Sequence, residues 1–122
     1  MSLVYEELTE KVIGICFEVS NELGAGFLES VYQRALTIAL IQKGLTVEEQ
    51  VPLKVKFRGQ VVGDFYPDIL VSSKLILELK SIKSINSEHE AQMINYLKAT
   101  GLNVGLIINF GRTKLEWKRL VS

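Results

Sequence analysis

The sequence predicts an α/β fold, a mixed β-sheet flanked by helices in the order α-α-β-β-β-α-β-β, and three observations carry that expectation. Apolar residues recur at spacings of three and four up to about residue 43, then alternate between about 45 and 80. A capping pattern opens a third helical stretch at Ser87. The segment after it, 104–110, is nearly continuous in apolar residues, which suits a strand buried on both faces. A chain of 122 residues is expected to form one domain spanning 1–122, with no room for a second core.

Taken in order, Leu8, Val12, Ile15, Val19 and Leu23 form the stripe of an amphipathic helix over about 5–23, ended by Gly24-Ala25-Gly26. A second helix is expected over about 28–43, burying Leu28, Val31, Tyr32, Ala35, Leu36, Ala39 and Leu40, with Gly44 at its C-terminal end. Val51, Leu53, Val55 and Phe57 then alternate with polar residues, and Arg58-Gly59-Gln60 turns the chain into Val61-Val62. Pro52 implies an edge position or a bulge there, because it has no N–H for a ladder. Two strands, 69–71 and 75–80, are joined by Ser72-Ser73-Lys74. Ser87 with Glu90 reads as a capping box for a helix to about Thr100, closed by Gly101. The strands on either side of that helix should then run parallel in a β-α-β unit. A final alternating strand is expected over 114–121.

Composition narrows the function classes. Hydrophobic residues make up 48% and charged residues 23%, which excludes a disordered chain. No apolar run reaches the roughly 20 residues of a bilayer span, and Met-Ser-Leu-Val-Tyr-Glu-Glu lacks a leader's basic and apolar regions, so no membrane partner and a cytoplasmic location are expected. Cys16 alone cannot form an internal disulfide and is read as a small core residue; with His89, the only histidine, it cannot build a zinc site. Net charge is zero, but unevenly spread: −5 over residues 1–30 and +5 over 31–122. An acidic solvated helix face accounts for the first segment.

The chemistry concentrates where charges interrupt apolar strands. Glu78 and Lys80 break Leu75-Ile76-Leu77-Glu78-Leu79-Lys80 and, two residues apart, project from one face. A turn centred on Ser73 makes Val71 face Leu75 and Asp68 face Glu78. Two opposed carboxylates repel, so something must offset them: a cation, Lys80, or a shared proton that raises one pKa. Hard divalent cations use such clusters. The alternative is that Asp68 is an exposed turn residue and Glu78 and Lys80 lie on an ordinary wet face.

These residues resemble a known signature. Pro67-Asp68 followed ten residues on by Glu78-Leu79-Lys80 is similar to the PD-(D/E)xK motif of the restriction-endonuclease-like superfamily. Gly26-Phe27-Leu28-Glu29-Ser30-Val31-Tyr32 resembles the signature of its GxxExxY branch. Gln92-Met93-Ile94-Asn95-Tyr96 resembles the QxxxY motif of RecB-like nucleases. His89-Glu90-Ala91-Gln92 and Asn109-Phe110-Gly111 extend the likeness, which runs from about residue 5 to 121. Ser20 departs from it, standing where histidine is expected before the Leu-Gly-x-Gly turn. The resemblance implies a restriction-endonuclease-like fold and phosphodiester hydrolysis dependent on Mg²⁺ or Mn²⁺. It implies Asp68, Glu78 and the Leu79 carbonyl as metal ligands, with Glu29 completing the acidic cluster directly or through water. Lys80 would orient water and stabilise negative charge, Gln92 would contact water or phosphate, and Tyr96 would hold its helix or touch substrate. His89 would be a supporting partner; Tyr32 would either support Glu29 or pack in the core.

The expected partner is nucleic acid, DNA in the first place with RNA left open, together with a second copy or a partner protein. Lys54, Lys56 and Arg58 on one strand face, and Arg112, Lys114, Lys118 and Arg119 near the C-terminus, are candidate phosphate contacts. Solubilising strand faces and edge protection are the alternative for both groups. Trp117 is expected to pack on the sheet, with stacking on a base as the alternative. Two rivals to a nuclease stand beside it: a catalytically silent nucleic-acid-binding or regulatory subunit, and an oligomeric interaction protein with a merely structural carboxylate cluster.

Overall fold

The computed structural model describes residues 5–122; residues 1–4, read above for the absence of a leader, lie outside the described residues. Helices α1 (Glu6–Leu23) and α2 (Glu29–Gln42) precede strands β1 (Val47–Glu49), β2 (Leu53–Phe57), β3 (Gln60–Phe65), β4 (Ile69–Val71) and β5 (Leu75–Lys80). Helix α3 (Ser87–Thr100) and strands β6 (Val104–Asn109) and β7 (Glu116–Val121) complete the chain. Five strands form one sheet in the order β1-β4-β5-β6-β7, and β2 pairs with β3 in a separate hairpin. The β5–β6 pair is parallel, spanned by α3 as expected, and the remaining ladders are antiparallel. The result is a mixed α/β restriction-endonuclease-like fold.

Period two explains why one strand can hold two cores apart. Leu75, Leu77 and Leu79 face α1 and α2, packing with Val12, Ile15, Tyr32, Leu36 and Leu40. Ile76 faces the other way, onto Ile107 of β6 and Met93 and Leu97 of α3, with Phe65 and Val55 of the hairpin alongside. Each fully buried leucine contributes about 2 kcal/mol, so slipping β5 by one residue would take three of them out of that core and drive Glu78 and Lys80 into it. β6 is buried along its whole length, as its apolar run implied. A Cβ at Gly105 would lie 2.4 Å from Met93 Sδ, so glycine there lets α3 settle onto β6.

The structure corrects several expectations. Five strands rather than three precede α3: Gln50, with φ 52°, and Pro52 part a short β1 from β2, and the turn at Arg58 and Gly59 makes β2 and β3 two strands. Pro52 lies between those strands, and the bulge falls at Val55/Lys56 instead. The cap of α3 is Asn86, not Ser87: its side chain accepts the His89 N–H, and His89 accepts the Asn86 N–H in return. Leu28 is 77% exposed because it caps α2 rather than joining its buried face. β7 begins at Glu116, opposite Asn109, and residues 110–115 form the connection before it.

Candidate active site

β5 organises the site. The pairs Ile69–Leu77, Leu70–Ile76 and Val71–Leu75 set its register against β4, and one further step places Asp68 opposite Glu78. Parity puts both on the α3 side of the sheet, with Lys80. Asp68 follows buried Pro67 and is fixed at both oxygens. Its Oδ2 accepts the Leu79 N–H at 2.7 Å, and its Oδ1 accepts from Gln50 Nε2 at 3.4 Å. The Lys80 carbonyl accepts the Phe110 N–H on the β6 side at 2.8 Å. Successive strand carbonyls alternate edges, so the Leu79 carbonyl leaves on the β4 edge, where Asp68 sits.

Helix α3 closes over this face. Glu78, Lys80, His89, Gln92, Met93, Tyr96 and Ile107 enclose a small pocket of about 10 Å³, room for roughly one water. The i, i+3, i+7 spacing puts His89, Gln92 and Tyr96 on one helix face. Gln92 Nε2 donates to the Tyr96 hydroxyl at 2.8 Å, and the Tyr96 ring stacks on Phe65 with centroids 3.7 Å apart. His89 Nδ1 accepts the Asn86 N–H at 3.1 Å. A neutral His89 ring therefore carries its proton on Nε2.

Electrostatically the outlier is Glu78. Burial, with Asp68 beside it, pushes its carboxyl up to about 8; the Asp68 backbone N–H and Lys80 pull the other way without prevailing. Its Oε1 is buried with no hydrogen-bond partner. Near neutral pH the pair therefore sheds its repulsion by keeping a proton on Glu78. The donors present would also suit a divalent cation. The orphaned Oε1, the Asp68 carboxylate and the Leu79 carbonyl form a hard oxygen donor set of the kind Mg²⁺ and Mn²⁺ take while retaining waters.

The acidic set is a pair. Among the described residues no three His, Cys, Asp or Glu side chains come together in a metal-binding group. Glu29, expected to complete the cluster, instead lines a separate open recess of about 660 Å³ with Phe27, Ser30, Ser81 and Gly111. The reason is its position as first residue of α2, whose N-terminus meets the chain beyond the end of β5; there Ser81 Oγ donates to the Phe27 carbonyl at 2.9 Å. Tyr32 is a core residue: fully buried, it stacks on Phe110, accepts the Phe27 N–H and donates to the Gly24 carbonyl. Cys16 is likewise core, its thiol pushed up to about 12 by burial.

The basic candidates divide between two places. Lys54, Lys56 and Arg58 lie on the β2–β3 hairpin, where Lys54 is 3.9 Å from Asp64. Arg112 and Lys114 lie in the β6–β7 connection and Lys118 on β7, with Trp117 beside them, 39% exposed. Arg112 is 3.9 Å from Glu116.

Sequence reasoning missed a clamp beneath the site. Asn109 is fully buried at the end of β6. Its Oδ1 accepts the Ile82 and Gly111 N–H groups, and its Nδ2 donates to the Ile82 carbonyl and to Glu116 Oε1. Glu116 Oε1 also accepts the Ile85 N–H at 2.9 Å, and these bonds, from Asn109 first, hold its carboxyl below the usual range. Together they pin residues 82–85, the link between Lys80 and α3. A Cβ at Gly111 would lie 2.3 Å from the Ile82 nitrogen, so only glycine fits there. Asn109 and Gly111 stood in the family likeness without a role, and Asn109 was the one amide in an apolar run. Gln50 and Phe65 gave none.

The family model for the PD-(D/E)XK nuclease superfamily matches residues 6–120. No curated protein sequence matches the chain. Among the described residues, no helix is long and apolar enough to cross a membrane.

Proposed function

Since the chain belongs to the PD-(D/E)XK nuclease superfamily, we propose that it hydrolyses phosphodiester bonds of nucleic acid, DNA in the first place, at a Mg²⁺- or Mn²⁺-dependent centre formed by Asp68, Glu78 and Lys80. The observation that carries the reading is the buried, unpartnered Glu78 Oε1 facing α3 beside Asp68. Such an atom is costly to leave unsatisfied in a merely structural cluster. We assign the chain to the GxxExxY branch on Gly26, Glu29 and Tyr32, and its α3 motif to the RecB-like kind on Gln92 and Tyr96.

Asp68, Glu78 and the Leu79 carbonyl would hold the cation. When bound, it supplies Lewis-acid polarisation of the phosphate and a water activated near neutral pH. The chain's own groups do the rest. Asp68 arrives already oriented, because the Leu79 N–H and Gln50 hold it, so little ordering remains for binding. Glu78 would hold that cation as the carboxylate, its proton passing to solvent, and its orphaned Oε1 would then have a partner. Lys80, on the same face, brings a fixed positive charge to the negative charge that builds on the phosphate oxygens. Gln92 donates to Tyr96, leaving its carbonyl oxygen to accept from a water in the pocket. Phe65 keeps Tyr96 in place by stacking. Glu29 lines its own recess, so its part at the centre would run through water rather than as a direct ligand.

The test is cleavage of labelled single- and double-stranded DNA and RNA with Mg²⁺ or Mn²⁺, beside Lys80→Ala. Cation-dependent cleavage that falls at least about 100-fold in the variant supports the proposal. No cleavage of any substrate, or equal cleavage by the variant, overturns it.

A further inference from the structure

The β2–β3 hairpin stands outside the main sheet, and its two ends differ in character. Its root is fastened: Leu53, Val55 and Phe65 pack into the α3-side core, and Phe65 stacks on Tyr96 of the pocket. Its far end is apolar yet uncovered, with Phe57 59%, Val61 51% and Val62 64% exposed. Apolar patches of this kind, rimmed by polar residues, mark interaction surfaces. Here the rim is basic. The hairpin carries Lys54, Lys56 and Arg58 against Asp64 alone, and the Arg58 guanidinium sits 4.9 Å from the Phe57 ring centroid.

The turn supports the same reading. Arg58 and Gly59 have φ of 50° and 77°, the two-residue geometry that tight hairpins favour, usually filled by Asn-Gly or Asp-Gly. Arginine in a left-handed conformation is strained, and residues held this way cluster at functional positions. Exposed aromatic rings among cations are what stacked, unpaired bases recognise, whereas duplex DNA presents mainly phosphates. From root to tip the hairpin spans about 16 Å, a few nucleotides of an extended strand.

We propose that this hairpin is a single-strand binding arm: Phe57 and Arg58 stack on an unpaired base a few nucleotides from the scissile phosphate, and Lys54 and Lys56 contact the backbone between. The proposal rests on the nuclease reading for the placement of that phosphate. The β3 strand leads directly through Pro67 to Asp68, so a strand lying along the arm reaches the carboxylate pair.

The experiment uses the full chain without divalent metal, so that binding is read apart from cleavage. The probe is a single strand of about 15 nucleotides, within the usual site size, carrying 2-aminopurine at successive positions, beside the matching blunt duplex. The expected result is quenching at one or two positions and preference for the single strand. Phe57→Ala should lose the quench and bind about tenfold more weakly, and Phe57→Trp should retain both. Lys54→Ala with Lys56→Ala should lower the salt slope by about 1.4 while keeping the quench. Equal binding and quenching by Phe57→Ala overturns the arm, as does tighter binding of the duplex. Self-association lost in Phe57→Ala, with nucleic-acid binding unchanged, also overturns it and makes the patch a protein interface. Quenching in a chain that never cleaves with Mg²⁺ supports the arm and defeats the nuclease reading alone. Cleavage that Phe57→Ala leaves intact on single strands, with unchanged affinity, does the reverse.

Discussion

Replacing Glu78 by glutamine should make the metal-free protein more stable while disabling it. In the folded chain the Glu78 carboxyl titrates at about 8 against 4.5 for an ordinary glutamate. Between those values the folded state holds a proton that the unfolded state has lost, so stability falls as pH rises through this window and levels off above it. At about 1.4 kcal/mol per unit, the loss reached at pH 7 is about 3 kcal/mol relative to pH below 4.5. Glutamine has nearly the same shape, carries no charge and can donate its amide to Asp68, so it escapes this loss. Glu78→Gln should therefore exceed the parent by about 3 kcal/mol at pH 7, or a Tm higher by about 10 °C. The assay is urea and thermal unfolding from pH 4 to 9 in chelator. The parent should lose stability across the window, the variant should not, and Mg²⁺ or Mn²⁺ should raise the parent's Tm alone. A parent with a flat profile, or a variant less stable at pH 8, would refute the reasoning, because the carboxyl would then not be burdened as the buried, unpartnered oxygen implies.

Binding of Mn²⁺ at pH 6 to 7 should release about one proton, from Glu78, measurable by calorimetry in two buffers of different ionisation enthalpy; Asp68→Asn should abolish both heat and proton. Asn109→Ala should cost about 3 kcal/mol in urea unfolding, since it strands the Ile82 and Gly111 N–H groups and the Ile82 carbonyl. Tyr96→Phe removes only the Gln92 bond and should change stability by less than about 1 kcal/mol, while cleavage falls by a larger factor than stability explains.

What the sequence disclosed, it disclosed through local rules. Period two and a short turn at Ser72-Ser73-Lys74 are enough to set Asp68 opposite Glu78, because a three-residue link leaves little freedom of register. The i, i+3, i+7 run likewise grouped His89, Gln92 and Tyr96, and the pocket brings them to Glu78 and Lys80. What it concealed depends on contacts between distant segments or on single backbone angles. The left-handed Gln50 that parts β1 from β2 carries no residue-type signal. The Asn109–Glu116 clamp requires knowing that β6 and β7 pair in that register. Glu29 satisfied its motif, yet it lines a recess apart from the carboxylate pair because of how α2 docks, which no spacing along the chain encodes.

The most direct test is anomalous scattering from crystals soaked in Mn²⁺ at pH 8. The account predicts one strong peak between Asp68 and Glu78, within about 2.2 Å of their oxygens and of the Leu79 carbonyl, and its disappearance in Glu78→Gln. A pair that stays empty, or a peak in the Glu29 recess without either carboxylate, would contradict it.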